Sequence, residues 1–358
     1  MVTVSLTKGI YKCFGCGEGG NAVDFLMKHE HYNYPEALRW LAKKYNIVIE
    51  EEEESEQQKA QQDEKESLYT LNGFAAKFFA KQLSETDIGK SVALGYCRNR
   101  DIHDASIKTF EIGYSPAVTD AFCQYALNNG YRKEQLIKGG LAIDRNGLLY
   151  DRFRDRLIFP IHNISGRIVG FGGRIFVNDP KKPKYLNSPE SEIYNKSRVL
   201  YGLFHGRNAI VSKDNCLIVE GYTDVIALHQ AGIKYVVSSS GTALSEEQIR
   251  IIKRFTSNIT MIFDGDPAGI KASFRGIDMV LKQGMHVNIV PMPDGEDPDS
   301  FSKKYRSEEV ENYLSSHAEN FITFKANLLM TEAGDDPVKR AGVIKDILNS
   351  IAVIPELL

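Results

Sequence analysis

Apolar and polar positions alternate regularly along the second half of the chain. Four short apolar runs, CLIVE, KYVVSS, NITMIF and MHVNIV, lie between residues 216 and 290, and amphipathic segments of helical period follow the first three. Strands that alternate with helices in this way predict βαβ units and a parallel sheet. We therefore predict an α/β fold over residues 213–300, with helices flanking the sheet.

The segments on either side of this region show different patterns. After residue 67 apolar positions first recur at helical spacing, and the runs RLIFPIHN and GRIVGFGGRIF then predict two strands joined by a turn at Ser165 and Gly166. This mixture predicts a separate α+β subdomain over 67–212, which makes the whole chain α+β. Residues 301–358 are helical by pattern and are predicted to form a helical C-terminal subdomain.

A small unit precedes these subdomains. In residues 1–49 the run IYKCF predicts a short strand, Asn21 is placed to cap a helix, and Pro35 to open a second one. Residues 50–66 hold nine acidic residues against two lysines, and Ala60 is their one apolar residue. We interpret 50–66 as an acidic solvated linker or a frayed helix.

Composition and charge narrow the class of protein. The chain has 358 residues, 42% of them hydrophobic, without an apolar run long enough for a membrane helix or a typical leader segment. Its five cysteines are too few for a disulfide framework, so we expect a cytoplasmic protein without a membrane partner. The net charge of −3 hides a basic region, because residues 152–198 carry ten Arg and Lys against four acidic residues. Such a region favours a nucleic-acid partner.

Carboxylates follow three of the predicted strands of the parallel sheet. Six acidic residues lie at or shortly after these strand ends: Glu220, Asp224, Asp264, Asp266, Asp297 and Asp299. Because the carboxyl ends of parallel strands meet at one edge, we expect the six to converge. In each Asp-x-Asp pair the two side chains point the same way if the backbone is extended, so we expect both acids to share one pocket. Hard oxygen ligands of this kind suit Mg²⁺ or Mn²⁺, which support phosphoryl transfer.

The motifs EGYTD, FDGDPAG and DGEDPD, in this order, resemble the toprim domain of bacterial DNA primases. FPIHNISGRIVGFGGR, KPKYLNSPES and YNKSRVLYG resemble the basic half of the primase RNA polymerase domain, and the resemblance covers residues 9–330. It implies a DNA-directed RNA polymerase that makes short RNA primers on single-stranded DNA from ribonucleoside triphosphates. It also implies a bacterial replication-fork location and a replicative helicase partner, although the helicase-binding domain is not evident here.

The resemblance assigns roles to individual residues. It implies that Glu220, Asp264 and Asp266 bind Mg²⁺ or Mn²⁺, and that Asp224, Asp297 and Asp299 are further catalytic acids beside the metals. The basic residues that would hold nucleotide phosphates and template DNA are Arg100, Arg174, Lys184 and Lys196. A triphosphate and a DNA backbone both require such cations beside the metal pocket.

Cys13 and Cys16 have the Cys-x-x-Cys spacing of a zinc knuckle. The segment YKCFGCGEGGNAVDF resembles the second half of the primase zinc-binding (CHC2-like) domain, which the family completes with an upstream Cys and His. This sequence starts after those ligands, and two thiolates cannot close the four-ligand shell of structural Zn²⁺. We therefore expect a partial zinc ribbon with an incomplete site and a weakly folded first unit.

Two alternatives from other classes remain. A toprim topoisomerase or nuclease would use the same acids to cut DNA, although a topoisomerase also needs a tyrosine nucleophile on a separate domain. A non-catalytic toprim protein that binds nucleic acid would be expected to lose several of the acids, and this chain has all six.

Overall fold

The computed structural model describes residues 2–30, 32, 34–47, 56–177, 179–241, 243–263, 267–293 and 295–355, and of residues 267–273 and 275 it describes the backbone alone. The chain divides into two compact units, Met1–Gln62 and Asp63–Leu358. Among the described residues we find no helix with the length and hydrophobicity needed to span a bilayer.

The first unit contains a small antiparallel sheet and two helices. Its elements are β1 Val2–Ser5, β2 Ile10–Cys13, β3 Gly19–Asn21, α1 Ala22–His29 and α2 Tyr34–Tyr45. The predicted cap is present, because Asn21 Oδ1 accepts from the amides of Val23 and Asp24 at 2.8 and 3.0 Å. The Asp24 carboxylate in turn accepts from the Asn21 amide at 2.8 Å, which completes a capping box.

A 30-residue helix, α3 (Glu56–Glu85), contains the division between the units. The predicted linker is therefore helical over 56–66, whereas residues 50–55 lie outside the described residues. Apart from Asp63, this part of the helix consists of Glu, Gln, Lys and Ala, and all four are strong helix formers. From Leu68 onward one face of α3 is buried, as its apolar spacing predicts.

The part of Asp63–Leu358 that precedes the parallel sheet is α+β. Its helices are α4 Leu94–Asn99, α5 Asp104–Thr109, α6 Ala121–Asn128 and α7 Lys133–Lys138, with a π-helical turn at Gly89–Ala93. Its strands are β4 Gly113–Ser115, β5 Ala142–Arg145, β6 Leu148–Asp151, β7 Arg156–His162, β8 Ile168–Ile175 and β9 Tyr185–Asn187. The order β4-β7-β8-β9 forms an antiparallel sheet, which contains both predicted strands.

The parallel sheet is present as predicted, and the fold class is confirmed. Its elements are α8 Leu203–Lys213, β10 Cys216–Val219, α9 Tyr222–Gln230, β11 Val236–Ser238, α10 Glu246–Lys253, β12 Asn258–Phe263, α11 Pro267–Lys282, β13 His286–Pro291 and β14 Glu319–Asn320. The order is β11-β10-β12-β13-β14, with all neighbours parallel except β14, which is antiparallel to β13. The chain leaves β10 toward β11 and returns to β12 on its other side, so the carboxyl ends frame a crevice there.

The chain after the parallel strands is mostly helical. Its helices are α12 Pro298–Lys304, α13 Ser307–Ser316, α14 Phe321–Ala333 and α15 Pro337–Ala352. The prediction of a purely helical segment omits β14, a strand of two residues that adds an antiparallel edge to β13. So short a strand leaves no alternating pattern in the sequence.

The antiparallel and parallel sheets meet at Tyr222, the first residue of α9. Its ring stacks on Phe159 of β7 at 5.2 Å between centroids, and its hydroxyl donates to Asn187 of β9 at 2.8 Å. Gly172 of β8 lies opposite both Phe159 and Asn187 in the sheet register. A Cβ at Gly172 would approach the Tyr222 ring to 2.6 Å, so only glycine permits this contact.

Candidate functional site

A cleft of about 290 Å³ lies at the carboxyl edge of the parallel sheet. Its lining includes three acids, Glu220, Asp224 and Asp297, and three cations, Arg100, Arg174 and Lys184. Six of the ten residues that the sequence singled out as catalytic or phosphate-binding therefore line one cavity.

Hydrogen bonds within the local backbone hold Glu220 and Asp224 of the cleft in place. Glu220 directly follows β10, and its carbonyl oxygen accepts from Ser238 Oγ at 2.7 Å and from the Gly241 amide at 3.2 Å. Asp224 Oδ2 accepts from the Gly221 amide at 2.9 Å in the first turn of α9. The side chain of Glu220 itself is exposed to the cleft. The strand end is thus fixed while its carboxylate is accessible.

The two acids of DPD do not share one pocket, contrary to the expectation from their spacing. Asp297 lines the cleft and caps α12, its Oδ1 accepting from the Ser300 amide at 2.6 Å. Asp299 is 5% exposed and lines a neighbouring cavity of about 190 Å³ instead. The reason is that α12 begins at Pro298, so the backbone is helical where the expectation requires an extended strand.

Asp264 and Asp266, the predicted metal ligands after β12, lie outside the described residues. Within the described ranges, no group of three His, Cys, Asp or Glu side chains is arranged to hold a metal ion. The acids that line the cleft, Glu220, Asp224 and Asp297, offer carboxylate oxygens as metal ligands, a chemistry that fits Mg²⁺ or Mn²⁺.

Among the three cations that line the cleft, Arg174 is the buried one. It is 5% exposed and lies between two tyrosine rings, 4.9 Å from the Tyr96 centroid and 5.6 Å from that of Tyr185. Its Nε and Nη1 atoms are buried without a hydrogen-bond partner among the residues described. A buried guanidinium with free N–H groups that faces a cleft is suited to binding an anion.

The other predicted cations differ in position. Arg100 follows α4 and lies between the cleft and the neighbouring cavity. Lys184 precedes β9 and is exposed at the cleft. Lys196 lines a separate small cavity, which shares Ser240 with the cleft. Three of the four cations are therefore together, and Lys196 is next to them.

Sequence reasoning missed Tyr185, Ser240 and Gly241, which also line the cleft. Ser240 and Gly241 follow β11, and both have a positive φ, 61° and 82°. The signal was available, because the run SSSG ends a predicted parallel strand and therefore belongs to the same edge. Tyr185, whose pKa is raised by burial, gave no comparable signal.

In the first unit Cys13 is the last residue of β2, and Cys16 lies in the turn between β2 and β3. Hydrogen bonds from the backbone amides of Cys16 and Gly15 lower the pKa of the Cys13 thiol. Cys16 is exposed. A lowered thiol pKa favours the thiolate that a metal requires.

The sheet order and the acidic carboxyl edge beside a basic wall define a toprim-containing α/β protein. The toprim-like family model matches residues 217–302. The model described as DNA primase catalytic core, N-terminal domain, matches 78–207, and that of the CHC2 zinc finger matches 1–57.

Known relatives narrow this class to one family. A DNA primase of Clostridium acetobutylicum is 39% identical over 91% of this chain and 53% of its own length. The Aquifex aeolicus primase structure, with zinc-binding and RNA polymerase domains, is 30% identical over 98% of this chain and 87% of its own, with a TM-score of 0.68. A DnaG primase catalytic domain bound to ssDNA is 34% identical over 82% of this chain and 95% of its own, with a TM-score of 0.73.

The chain therefore belongs to the bacterial DNA primase family. It spans somewhat over half the length of the curated relatives it matches.

Proposed function

We propose that this chain is the catalytic core of a DNA primase, a nucleotidyltransferase that synthesises short RNA primers on single-stranded DNA. The observation that carries the proposal is the cleft itself, a cavity of about 290 Å³ lined by three carboxylates and three cations. Joining a 3′-hydroxyl to the α-phosphate of a ribonucleoside triphosphate and releasing pyrophosphate requires this combination of charges.

Arg174 supports a phosphate ligand in particular. The guanidinium is planar, stays charged, and can donate two parallel hydrogen bonds to one phosphate group. The guanidinium lies beside the rings of Tyr96 and Tyr185, and its Nε and Nη1, which have no partner among the described residues, supply the donors. We propose that Arg174 and Lys184 bind the triphosphate or the template backbone. A relative solved with ssDNA supports DNA as the template.

We propose Mg²⁺ or Mn²⁺ as the cofactor, held by Glu220 with Asp264 and Asp266. When bound, such ions neutralise the triphosphate and the departing pyrophosphate and assist ionisation of the attacking hydroxyl. Asp224 and Asp297 are held by their amide contacts and add negative charge at the same edge. We propose that these acids, through the ions, and the cations of the same cleft together bind the reacting phosphates.

We propose that Cys13 and Cys16 form an incomplete Zn²⁺ site in the first unit. Two thiolates fill half of a tetrahedral shell, so further ligands are needed, and no third partner groups with them in the part of the chain that the structure describes. Zinc content per chain, measured by mass spectrometry of Cys13→Ser against the unaltered protein, tests this assignment, and we expect stoichiometric zinc in neither. One zinc per chain that is lost in Cys13→Ser would contradict it.

An RNA primer, a replicative helicase and a place in the bacterial cytoplasm at the replication fork are proposed on the family relationship alone. The helicase contact has no assigned surface in the described residues.

Incorporation of labelled ribonucleotides tests the proposal. The substrate is single-stranded DNA with an annealed RNA primer, with and without Mg²⁺ or Mn²⁺, and Asp264→Asn is the inactive control. We expect metal-dependent extension that this substitution abolishes. Metal-dependent cleavage or relaxation of DNA would favour a toprim nuclease or topoisomerase, and DNA binding without chemistry would favour a non-catalytic toprim protein.

A further inference from the structure

Asp299 lies in a setting unlike that of the other acids of the toprim region. Its Oδ1 accepts from Lys303 Nζ at 2.8 Å, and its Oδ2 from Arg100 Nη1 at 3.3 Å. Its side chain is 7% exposed, whereas that of Arg100 is 37% exposed. Both oxygens of one buried carboxylate are thus engaged by cations. A divalent ion at this position would be repelled by both of them.

Arg100 lies in the wall between two cavities. The cleft and the neighbouring cavity both include Arg100, but Asp299 lines only the neighbouring one. Asp299 thus contacts Arg100 without lining the cleft itself. A guanidinium has five N–H donors, and this contact uses Nη1. The same group can still donate to an anion in the cleft.

We infer that Asp299 is a positioning residue, which holds Arg100 at the cleft wall to bind phosphate oxygens, and is not a ligand of the catalytic metal. Without the carboxylate, Arg100 and Lys303 would face each other as like charges, and Arg100 would lose its fixed direction. This inference rests on the proposed role of the cleft in binding phosphates. The phosphates can belong to the incoming nucleotide or to the template strand.

Asp299→Asn tests the inference, with Glu296→Gln as the matched control. Glu296 also pairs with a lysine of α12, Lys304, but does not line the cleft. Three quantities are measured: the Mn²⁺ affinity by electron paramagnetic resonance, the KM and kcat for ribonucleotides, and the dissociation constant of a single-stranded oligonucleotide. We expect Asp299→Asn to leave Mn²⁺ binding unchanged and to weaken one of the two phosphate ligands about tenfold.

Which ligand weakens identifies the source of the phosphate. A raised nucleotide KM with unchanged oligonucleotide affinity assigns Arg100 to the triphosphate, and the reverse assigns it to the template. In an Arg100→Ala background the Asp299→Asn effect should nearly vanish, because the carboxylate acts through that arginine. Full additivity of the two substitutions would overturn the inference.

Loss of Mn²⁺ binding in Asp299→Asn, with phosphate affinities intact, would overturn the inference and make Asp299 a metal ligand. If Asp299→Asn does not fold, Lys303→Met provides the second test, because it leaves the pair with Arg100 intact. That variant should keep both phosphate affinities, and a tenfold loss would contradict the inference. Failure of the unaltered chain to extend primers would contradict the proposed function instead, and the binding measurements would still decide the role of Asp299.

Discussion

Arg156 on β7 and Arg174 on β8 are buried equally, each 5% exposed, but their surroundings differ. Arg156 donates from Nη1 to the carbonyl of Gly173 at 3.0 Å and from Nη2 to that of Pro183 at 3.0 Å. At the cleft, Arg174 has two aromatic neighbours and no acceptor for Nε and Nη1 among the described residues. The comparison teaches that the partners of a buried charge, and not its burial, indicate its role.

The largest effect on stability is expected for Arg156, the arginine whose guanidinium donates to backbone carbonyls. Arg156→Met removes the guanidinium donor of the Gly173 and Pro183 carbonyls, and should lower the free energy of unfolding by about 3–5 kcal/mol. Urea denaturation measures it. At low temperature the folded fraction should keep its nucleotide affinity. An unaltered midpoint would contradict a structural role for Arg156.

The opposite pattern is expected at the cleft. Arg174→Met removes a buried charge whose Nε and Nη1 have no hydrogen-bond partner among the described residues, so stability should stay the same or rise. The proposed phosphate contact is lost, so kcat/KM for ribonucleotides should fall roughly a hundredfold. Primer extension and urea denaturation of the same preparation check both expectations. A large loss of stability would show that Arg174 is structural like Arg156.

Arg174→Lys sharpens the comparison by keeping the charge and changing the shape. An ammonium cannot stack flat between Tyr96 and Tyr185 or donate the parallel pair of hydrogen bonds. We expect kcat/KM about tenfold below that of the unaltered protein, between the values for arginine and methionine at this position. Steady-state kinetics measures it, and full activity of the lysine variant would argue against bidentate phosphate binding.

The buried side chain of His205 allows a further comparison with the two arginines. His205 Nε2 is buried without a hydrogen bond among the described residues, and burial lowers the pKa of His205 from 6.5 to about 4. Imidazole can shed its proton, whereas arginine cannot. The nearby charges of His162 and His229 act in the same direction, and Glu111 opposes them.

The pH dependence of stability follows from this lowered pKa. Between pH 6.5 and about 4 the unfolded chain binds a proton that folded His205 does not, so the free energy of unfolding falls as the pH is lowered through this range. His205→Phe should flatten that dependence by about one proton. Urea denaturation at several pH values measures the slope, with His103→Phe at an exposed position as the control. An unchanged slope in His205→Phe would contradict the assignment.

The sequence was sufficient for the elements of the parallel sheet, because each buried strand and its following helix have distinct apolar periods. The rule that the carboxyl ends of parallel strands share one edge placed Glu220 and Asp297 together, and the structure has both at the cleft. The expectation that Asp297 and Asp299 point the same way was wrong, because Pro298 starts a helix and directs the Asp299 side chain away from the cleft. The Asp-Pro pair carried that signal, since it is typical of a helix start.

The state of Arg174 could not be predicted from its place in a basic run. Its burial depends on Tyr96 of α4, far from it along the chain, and on Tyr185, which lies opposite it on the next strand, β9. Contacts between distant elements leave no periodicity, so a charge run alone does not separate a solvated lysine from a buried arginine. The pairing of Asp299 with Arg100, 199 residues away, is hidden from the sequence for the same reason.

The contact between Gly172 and Tyr222 limits how this protein can vary. Tyr222 follows Glu220 by two residues, and Gly172 precedes Arg174 by two. Their contact therefore lies beside one cleft residue from each of the two sheets. A chimaera that took the parallel sheet from one relative and the antiparallel sheet from another would have to inherit both residues together. The two sheets are thus exchangeable between relatives only where both residues of this contact are present.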